Sequence, residues 1–83
     1  MELNIITPDE AIFSGDVHSV TVPGTAGSFE ILKDHAPIIS TLEDGNVIIR
    51  INKEEQVIAI KGGVIEALNN KVTVLAEGVL KDK

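Results

Sequence analysis

The stretch VIEALNNKVTVLA, residues 64–76, decides the fold class because it has the pattern of a tight β-hairpin. Two segments rich in Val, Ile, Leu and Thr flank Asn69-Asn70, which forms a two-residue connection. Asn tolerates the positive φ angles that such a short hairpin turn needs. The sequence therefore predicts two strands that pair across Asn69-Asn70.

Turn residues recur along the whole chain at intervals of about eight to ten residues, a spacing typical of an all-β sandwich or barrel. No segment has the 3.6-residue apolar period of a helix. We therefore expect one all-β domain over residues 1–83, with VLKDK (79–83) as a frayed end. The turn signals are TPDE, SGD, PGTAG, KDHAP, EDGN, NKEE, KGG, NN and EG.

Two predicted strands, NVIIRI (46–51) and QVIAI (56–60), carry apolar residues at both odd and even positions. A strand with one buried face would alternate apolar and polar residues instead. A chain of 83 residues is too short to cover a sheet on both sides. We interpret the second apolar face as a surface for another protein.

Composition excludes several classes of function. The net charge is -6 and the seven Lys and Arg are scattered, which argues against binding to a nucleic acid. The absence of Cys rules out disulfides, thiol catalysis and Cys-ligated zinc. The opening MELNIITPDE lacks the basic and apolar regions of a signal peptide, and no apolar run approaches the roughly 20 residues that span a bilayer. We expect a soluble, cytoplasmic protein.

The segment GTAGSFEILKDHAP (24–37) contains the residue types that are most typical of an active site in this sequence. Asp34 and His35, with His18, are candidates for an acid–base pair or a metal site. Neighbours on a strand point to opposite sides, however, and a zinc site needs about three convergent ligands. The glycine loops lack the following helix of a phosphate site. We predict no catalytic residue, metal or cofactor, and interpret the Gly and Pro residues as shaping the backbone.

Taken in order, residues 3–42 and 61–78 resemble the amino-terminal β-domain of the epsilon subunit of F-type ATP synthase. The resemblance implies a ten-stranded β-sandwich or flattened barrel of short antiparallel strands. It implies a non-catalytic rotor subunit of the central stalk that binds the gamma subunit and the c-subunit ring and couples proton translocation to ATP synthesis. Its place would be peripheral, on the cytoplasmic face of the bacterial inner membrane. The motifs that carry the resemblance are FSG (13–15), VTVPGTAG (20–27), HAP (35–37), GG (62–63) and NNKVTVLA (69–76).

The resemblance also implies which residues touch the partners. It places the segment 27–38 against the c ring and the lower gamma subunit, with Ile38 and Ser40 on the gamma-facing edge. The implied contact residues are Ser28, Phe29, Glu30, His35, Ala36, Pro37, Ile38 and Ser40, with Thr7 on the gamma side.

The chain departs from this family in two places. Lys33-Asp34 stands where the family commonly has Pro-Gly, which exchanges backbone restriction for two charges. Members usually continue into a carboxy-terminal helical hairpin that can inhibit ATP hydrolysis and in many cases helps to bind ATP. Because the sequence ends at Lys83, we expect that hairpin to be absent and assign neither function.

Two other functions compete with the rotor hypothesis. A free-standing β-sandwich could bind a small ligand such as a sugar, but sugar sites usually stack aromatic rings on the ligand, and the chain has two Phe and neither Trp nor Tyr. A hydrolase using Asp34 and His35 would lose its turnover in a His35→Ala variant. We predict no turnover to lose.

Overall fold

Eight β-strands form the regular structure of residues 1–80, the part of the chain that this computed structural model describes. The predicted all-β class is confirmed, but the predicted count of ten strands is wrong. The described residues contain no helix long and apolar enough to cross a membrane. The strands are β1 (Glu2–Ile6), β2 (Ala11–Asp16), β3 (Ser19–Val22), β4 (Phe29–Leu32), β5 (Ile38–Leu42), β6 (Gly45–Ile51), β7 (Glu54–Leu68) and β8 (Lys71–Val79).

The count is lower than predicted in part because Gly62 and Gly63 bend a long strand instead of ending it. Their φ angles are 47° and 137°, a backbone conformation that glycine adopts without steric cost. The segments QVIAIK and VIEAL are therefore one strand, β7, of 15 residues. The strands are also not all short and antiparallel, since β1 runs parallel to β8 with Ile5 opposite Val74.

The strand order is β2-β1-β8-β7-β6-β3-β4, and β5 pairs with β7 beside the end of β6. The end strands β2 and β4 do not pair with each other, so the sheet is open and the flattened-barrel alternative is wrong. β5 and β6 together follow β7 along its length, from Ile38 opposite Ala67 to Ile51 opposite Glu54. β6 and the first half of β7 form a hairpin, and its turn contains Asn52, whose φ is 56°.

The bend folds the sheet into two layers around one core. In β7, Ile60 is buried before the bend and Ile65 and Ala67 are buried after it, so the buried positions change from even to odd. We call β5, the second half of β7, β8, β1 and β2 the front layer, and the first half of β7, β6, β3 and β4 the back layer. The bend between them is the corner. Fully buried side chains come from both layers and include Leu3, Ile5, Val20, Ile31, Val47 and Val74.

The predicted hairpin at Asn69-Asn70 is confirmed. Leu68 pairs with Lys71, and the two Asn residues between them have φ angles of 52° and 62°. Both phenylalanines, Phe13 and Phe29, are partly buried against the core.

The predicted frayed end is ordered as far as the structure describes it. Val79 is the last residue of β8, and the N–H of Leu80 donates to the carbonyl oxygen of Ala59 at 2.8 Å. Residues 81–83 of that predicted segment lie outside the described part of the chain.

Candidate functional site

Asp34 and His35 are neighbours in sequence but do not form a pair. The backbone of Asp34 is in the left-handed region, at φ 67°, and its side chain turns to the β7–β8 hairpin. There the Asp34 N–H donates to Asn70 Oδ1 at 2.6 Å, and Asn70 Nδ2 donates to Asp34 Oδ1 at 3.0 Å. Asp34 thus takes a conformation that glycine favours, at the position where the resembled family commonly has Gly.

The imidazole of His35 bonds within its own segment. Its Nδ1 lies 2.6 Å from the carbonyl oxygen of Ala36, and its backbone N–H donates to the carbonyl of Leu32 at 3.1 Å. Because a carbonyl oxygen only accepts, Nδ1 must carry the proton. In the neutral ring, Nε2 is then a hydrogen-bond acceptor that a partner protein could use.

The other histidine, His18, belongs to a different part of the molecule. Its Nδ1 accepts the backbone N–H of Asn52 at 2.8 Å, at the tip of the β6–β7 hairpin. Its ring therefore helps to hold a turn. Across residues 1–80, no group of three or more His, Asp and Glu side chains is placed to hold a metal ion.

The predicted contact residues fall at opposite ends of β4. Ser28 precedes β4 at the corner, where the Thr25 N–H donates to the carbonyl of Thr41 at 3.1 Å. His35, Ala36 and Pro37 follow the other end of β4, next to the Asn69-Asn70 turn. A strand of four residues spans about 13 Å, which separates these two groups.

Several predicted contact residues have a structural role. Phe29 and Ile38 pack against the core, and Ser40 lies on the same inner side of β5 as Ile38. Glu30 is exposed in the edge strand β4, where its carboxylate lies 3.4 Å from Arg50. An exposed ion pair of this kind contributes less than about 1 kcal/mol to stability.

Thr7 holds the turn between β1 and β2. Its side chain is 8% exposed, and its hydroxyl both donates to the carbonyl of Glu10 and accepts the Glu10 N–H, at 3.1 and 3.2 Å. These bonds use the donor and one of the two acceptor lone pairs of the hydroxyl, so Thr7 stabilises the turn.

The outer face of the front layer carries an apolar row that was not among the predicted contacts. Ile6 lies opposite Leu75 and Leu75 lies opposite Val64, so their side chains are cross-strand neighbours on one face. Ile39 in the adjacent β5 is 73% exposed, and Leu68 is exposed beside it along β7. We call these five residues the apolar face. The sequence did not indicate this face, because the second apolar surface was predicted on NVIIRI and QVIAI, which form β6 and the first half of β7 in the back layer.

The front layer also carries an open groove of about 380 Å³, next to the β7–β8 hairpin. Its walls combine the acidic Glu66 and the basic Lys71 with Leu68, Asn69 and Thr73. Ligand pockets usually bury most of their ligand's surface against apolar and aromatic walls. An open groove without aromatic walls does not favour the ligand-binding alternative.

Comparison with known sequences identifies relatives over nearly the whole chain. The family profile described as "ATP synthase, Delta/Epsilon chain, beta-sandwich domain" matches residues 1–82. The ATP synthase epsilon chain of Chlorobium limicola is 42% identical over 79 residues, which cover 94% of this chain and 90% of that protein. The epsilon chain of Salinibacter ruber is 39% identical over 88 residues, which cover 95% of this chain but 59% of that protein. The chain therefore spans less than two thirds of the Salinibacter relative.

Solved structures share the fold. A chain of the Euglena gracilis mitochondrial ATP synthase, solved as an OSCP/F1/c-ring assembly, superposes with a TM-score of 0.87 at 18% identity, over 94% of this chain and 51% of that one. A chain of the Tetrahymena thermophila mitochondrial ATP synthase central stalk and c ring gives a TM-score of 0.81 at 17% identity, over 96% and 65% of the two chains. At these identities the likeness shows the fold alone.

Proposed function

The chain belongs to the family of β-sandwich domains of ATP synthase delta and epsilon chains, and from this we propose that it is a non-catalytic rotor subunit of an F-type ATP synthase. In this role it links the gamma subunit to the c ring and couples proton translocation to ATP synthesis. It lies at the cytoplasmic face of the bacterial inner membrane, held there by the complex. The two superposed chains come from assemblies described as containing a c ring, and one of these is described as the central stalk, which supports the proposal.

The observation that carries the proposal is the apolar face. Isolated exposed apolar side chains are ordinary, but a row across three paired strands with two more beside it is typical of a protein interface. Lys71 lies beside the face, opposite Leu68, and Glu66 lies within it, opposite Ile39 and between Val64 and Leu68 along β7. We assign this face to the gamma subunit.

His35, Ala36 and Pro37 extend the gamma contact. They lead directly into β5, which carries Ile39 of the apolar face on its outer side. Ile38 and Ser40 support this edge from the inner side, and Thr7 fixes the turn after β1.

The corner loop, residues 25–28, is the proposed contact with the c ring. Thr25, Ala26, Gly27 and Ser28 are all exposed, and their small or polar side chains suit polar loops. The loop is held in shape, since the Gly27 N–H donates to the Gly24 carbonyl at 2.9 Å and the hydroxyls of Thr25 and Thr41 lie 2.8 Å apart. A loop with a fixed shape loses little conformational entropy on binding.

Site-directed cross-linking tests the proposal. The chain carrying Ser28→Cys, with a short thiol-reactive cross-linker attached, is mixed with a purified complex of gamma subunit and c ring. We expect the chain to co-elute with the complex and to form an adduct with the c subunit, identified by mass spectrometry.

The matched control is Lys53→Cys. Lys53 is exposed in the β6–β7 turn, at the opposite end of the back layer from Ser28, so it should give no c-subunit adduct. If the unaltered chain does not co-elute with the complex, the proposed function is wrong. If it co-elutes and the Ser28→Cys chain gives no adduct, only the assignment of the corner loop is wrong.

A further inference from the structure

Asn70, in the β7–β8 turn, makes hydrogen bonds to two other segments, the one that contains Asp34 and the start of β1. Its side chain exchanges two hydrogen bonds with Asp34, at 2.6 and 3.0 Å. Its carbonyl oxygen accepts the N–H of Glu2 at 2.9 Å, which joins the start of β1 to the same turn. We call the paired bonds between Asp34 and Asn70 the clasp.

The clasp fixes the start of the segment that carries His35, Ala36 and Pro37. Asp34 is in the left-handed region, and non-glycine residues stay there only when their surroundings hold them. One bond is made by the backbone N–H of Asp34 and the other by its side chain. Together they hold both the backbone conformation and the side-chain orientation of Asp34. The next residue, His35, continues the turn with its bond to the Leu32 carbonyl.

Nothing else in the described hydrogen bonds ties this segment to the front layer. The other bonds of residues 33–37 are within the segment or to the end of β4, as in His35 to Leu32 and His35 to Ala36. Without the clasp, Lys33 to Pro37 would be a loop between two strand ends of different layers. Ordering such a loop at an interface lowers affinity.

We propose that Asp34 and Asn70 are positioning residues that hold His35, Ala36 and Pro37 in the conformation that binds the gamma subunit. This inference rests on the proposed function. The clasp acts before binding, because both of its hydrogen bonds are formed in the free chain. Neither residue needs to touch the partner for this effect.

Glycine substitutions test the clasp without straining the backbone. Asp34→Gly and Asn70→Gly both keep the positive φ of these positions. Asn70→Gly removes both bonds of the clasp, whereas Asp34→Gly removes only the bond that its carboxylate accepts. The full 83-residue chain is compared with each variant and with the double variant, using amide hydrogen exchange by NMR and binding to purified gamma subunit. We expect faster exchange at residues 34–36 and affinity for gamma weaker by about tenfold in Asn70→Gly, which loses both bonds. Both effects should be smaller in Asp34→Gly, which keeps the bond from its N–H to Asn70. The double variant should match Asn70→Gly, because that substitution already removes the clasp.

Two conservative variants separate positioning from other effects. Asp34→Asn keeps an acceptor for Asn70 and tolerates positive φ while removing the charge, so it should bind gamma like the unaltered chain. Asn69→Gly changes the other residue of the same turn, which does not contact Asp34, and should leave both measurements unchanged.

The outcomes distinguish this inference from the proposed function. If the unaltered chain does not bind gamma, the proposed function fails and the positioning role fails with it. If the unaltered chain binds and the glycine variants bind equally well, the positioning role alone is wrong. Slow exchange at residues 34–36 in the glycine variants would also overturn it, because the clasp would then not order the segment.

Discussion

Gly63→Ala should strongly destabilise the domain. Gly63 has a φ of 137°, which an L-residue rarely adopts, and a Cβ built on it would overlap the carbonyl oxygen of Leu75 and lie 2.9 Å from the Cα of Ala76. The neighbour is the backbone of the central strand β8, which cannot move without breaking its pairing with both β7 and β1. Backbone strain and the overlap together should cost about 4 kcal/mol.

A loss of this size is at least about a third of the stability of a small domain, which is of the order of 4 to 12 kcal/mol for this length. Urea denaturation followed by circular dichroism measures it. The matched control is Gly78→Ala, since a Cβ on Gly78 in β8 would meet nothing within 4 Å and should change stability by less than about 1 kcal/mol. Equal stability of the two variants would show that the bend at Gly62-Gly63 does not form as described.

Leu75→Lys and Ile39→Lys, combined in one chain, should weaken binding to the gamma subunit by at least about 100-fold. Leu75 is the middle of the cross-strand row and Ile39 is the most exposed apolar side chain among residues 1–80, at 53% and 73% exposed. Leu75→Lys places an ammonium group between Ile6 and Val64, where it loses its hydration on binding without a partner charge. Lys at Ile39 would lie opposite Glu66, an opposite-charge pair that should leave folding intact. Isothermal titration with purified gamma subunit measures the change.

The control for this prediction is Val57→Lys. Val57 is 52% exposed and apolar, but it lies in the first half of β7, in the back layer. Its substitution should leave the affinity for gamma within about twofold, since it lies outside the apolar face. If Val57→Lys weakens binding and the front-layer variant does not, the gamma subunit binds the back layer instead.

The parts of the fold that were predictable are those set by neighbouring residues. The turn at Asn69-Asn70 follows from two residues that tolerate positive φ between two apolar segments. The strand count was wrong because a Gly-Gly pair fits both a turn between strands and a bend within one strand. Only the pairing of β7 with β8 on both sides of Gly62-Gly63 separates the two cases.

The candidate site was harder to predict because it depends on contacts between distant segments. The segment 27–38 reads as one surface, but β4 separates Ser28 from His35. The adjacent isoleucines of β5 also look alike in sequence, while the structure places Ile38 against the core and Ile39 outside. The register of β5 with β7 decides which side chains of β5 face the core. The sequence of β5 alone does not contain this information.

The same limit applies to Asp34, which with His35 was a candidate in sequence for an acid–base pair. The structure gives Asp34 a partner 36 residues away, Asn70, with which it shares two hydrogen bonds. Both residues have positive φ and are residue types common in turns. The sequence therefore predicts a turn at each position but not the hydrogen bonds between them.

The central claim, that this chain couples the rotor to ATP synthesis, is tested most directly by reconstitution. ATP synthase stripped of its own epsilon subunit is placed in vesicles, a proton gradient is applied, and the rate of ATP synthesis is measured before and after the 83-residue chain is added. We predict that the chain restores most of the rate obtained with the native epsilon subunit. Synthesis that stays at the stripped level with this chain, while the native epsilon subunit restores it, would contradict the claim.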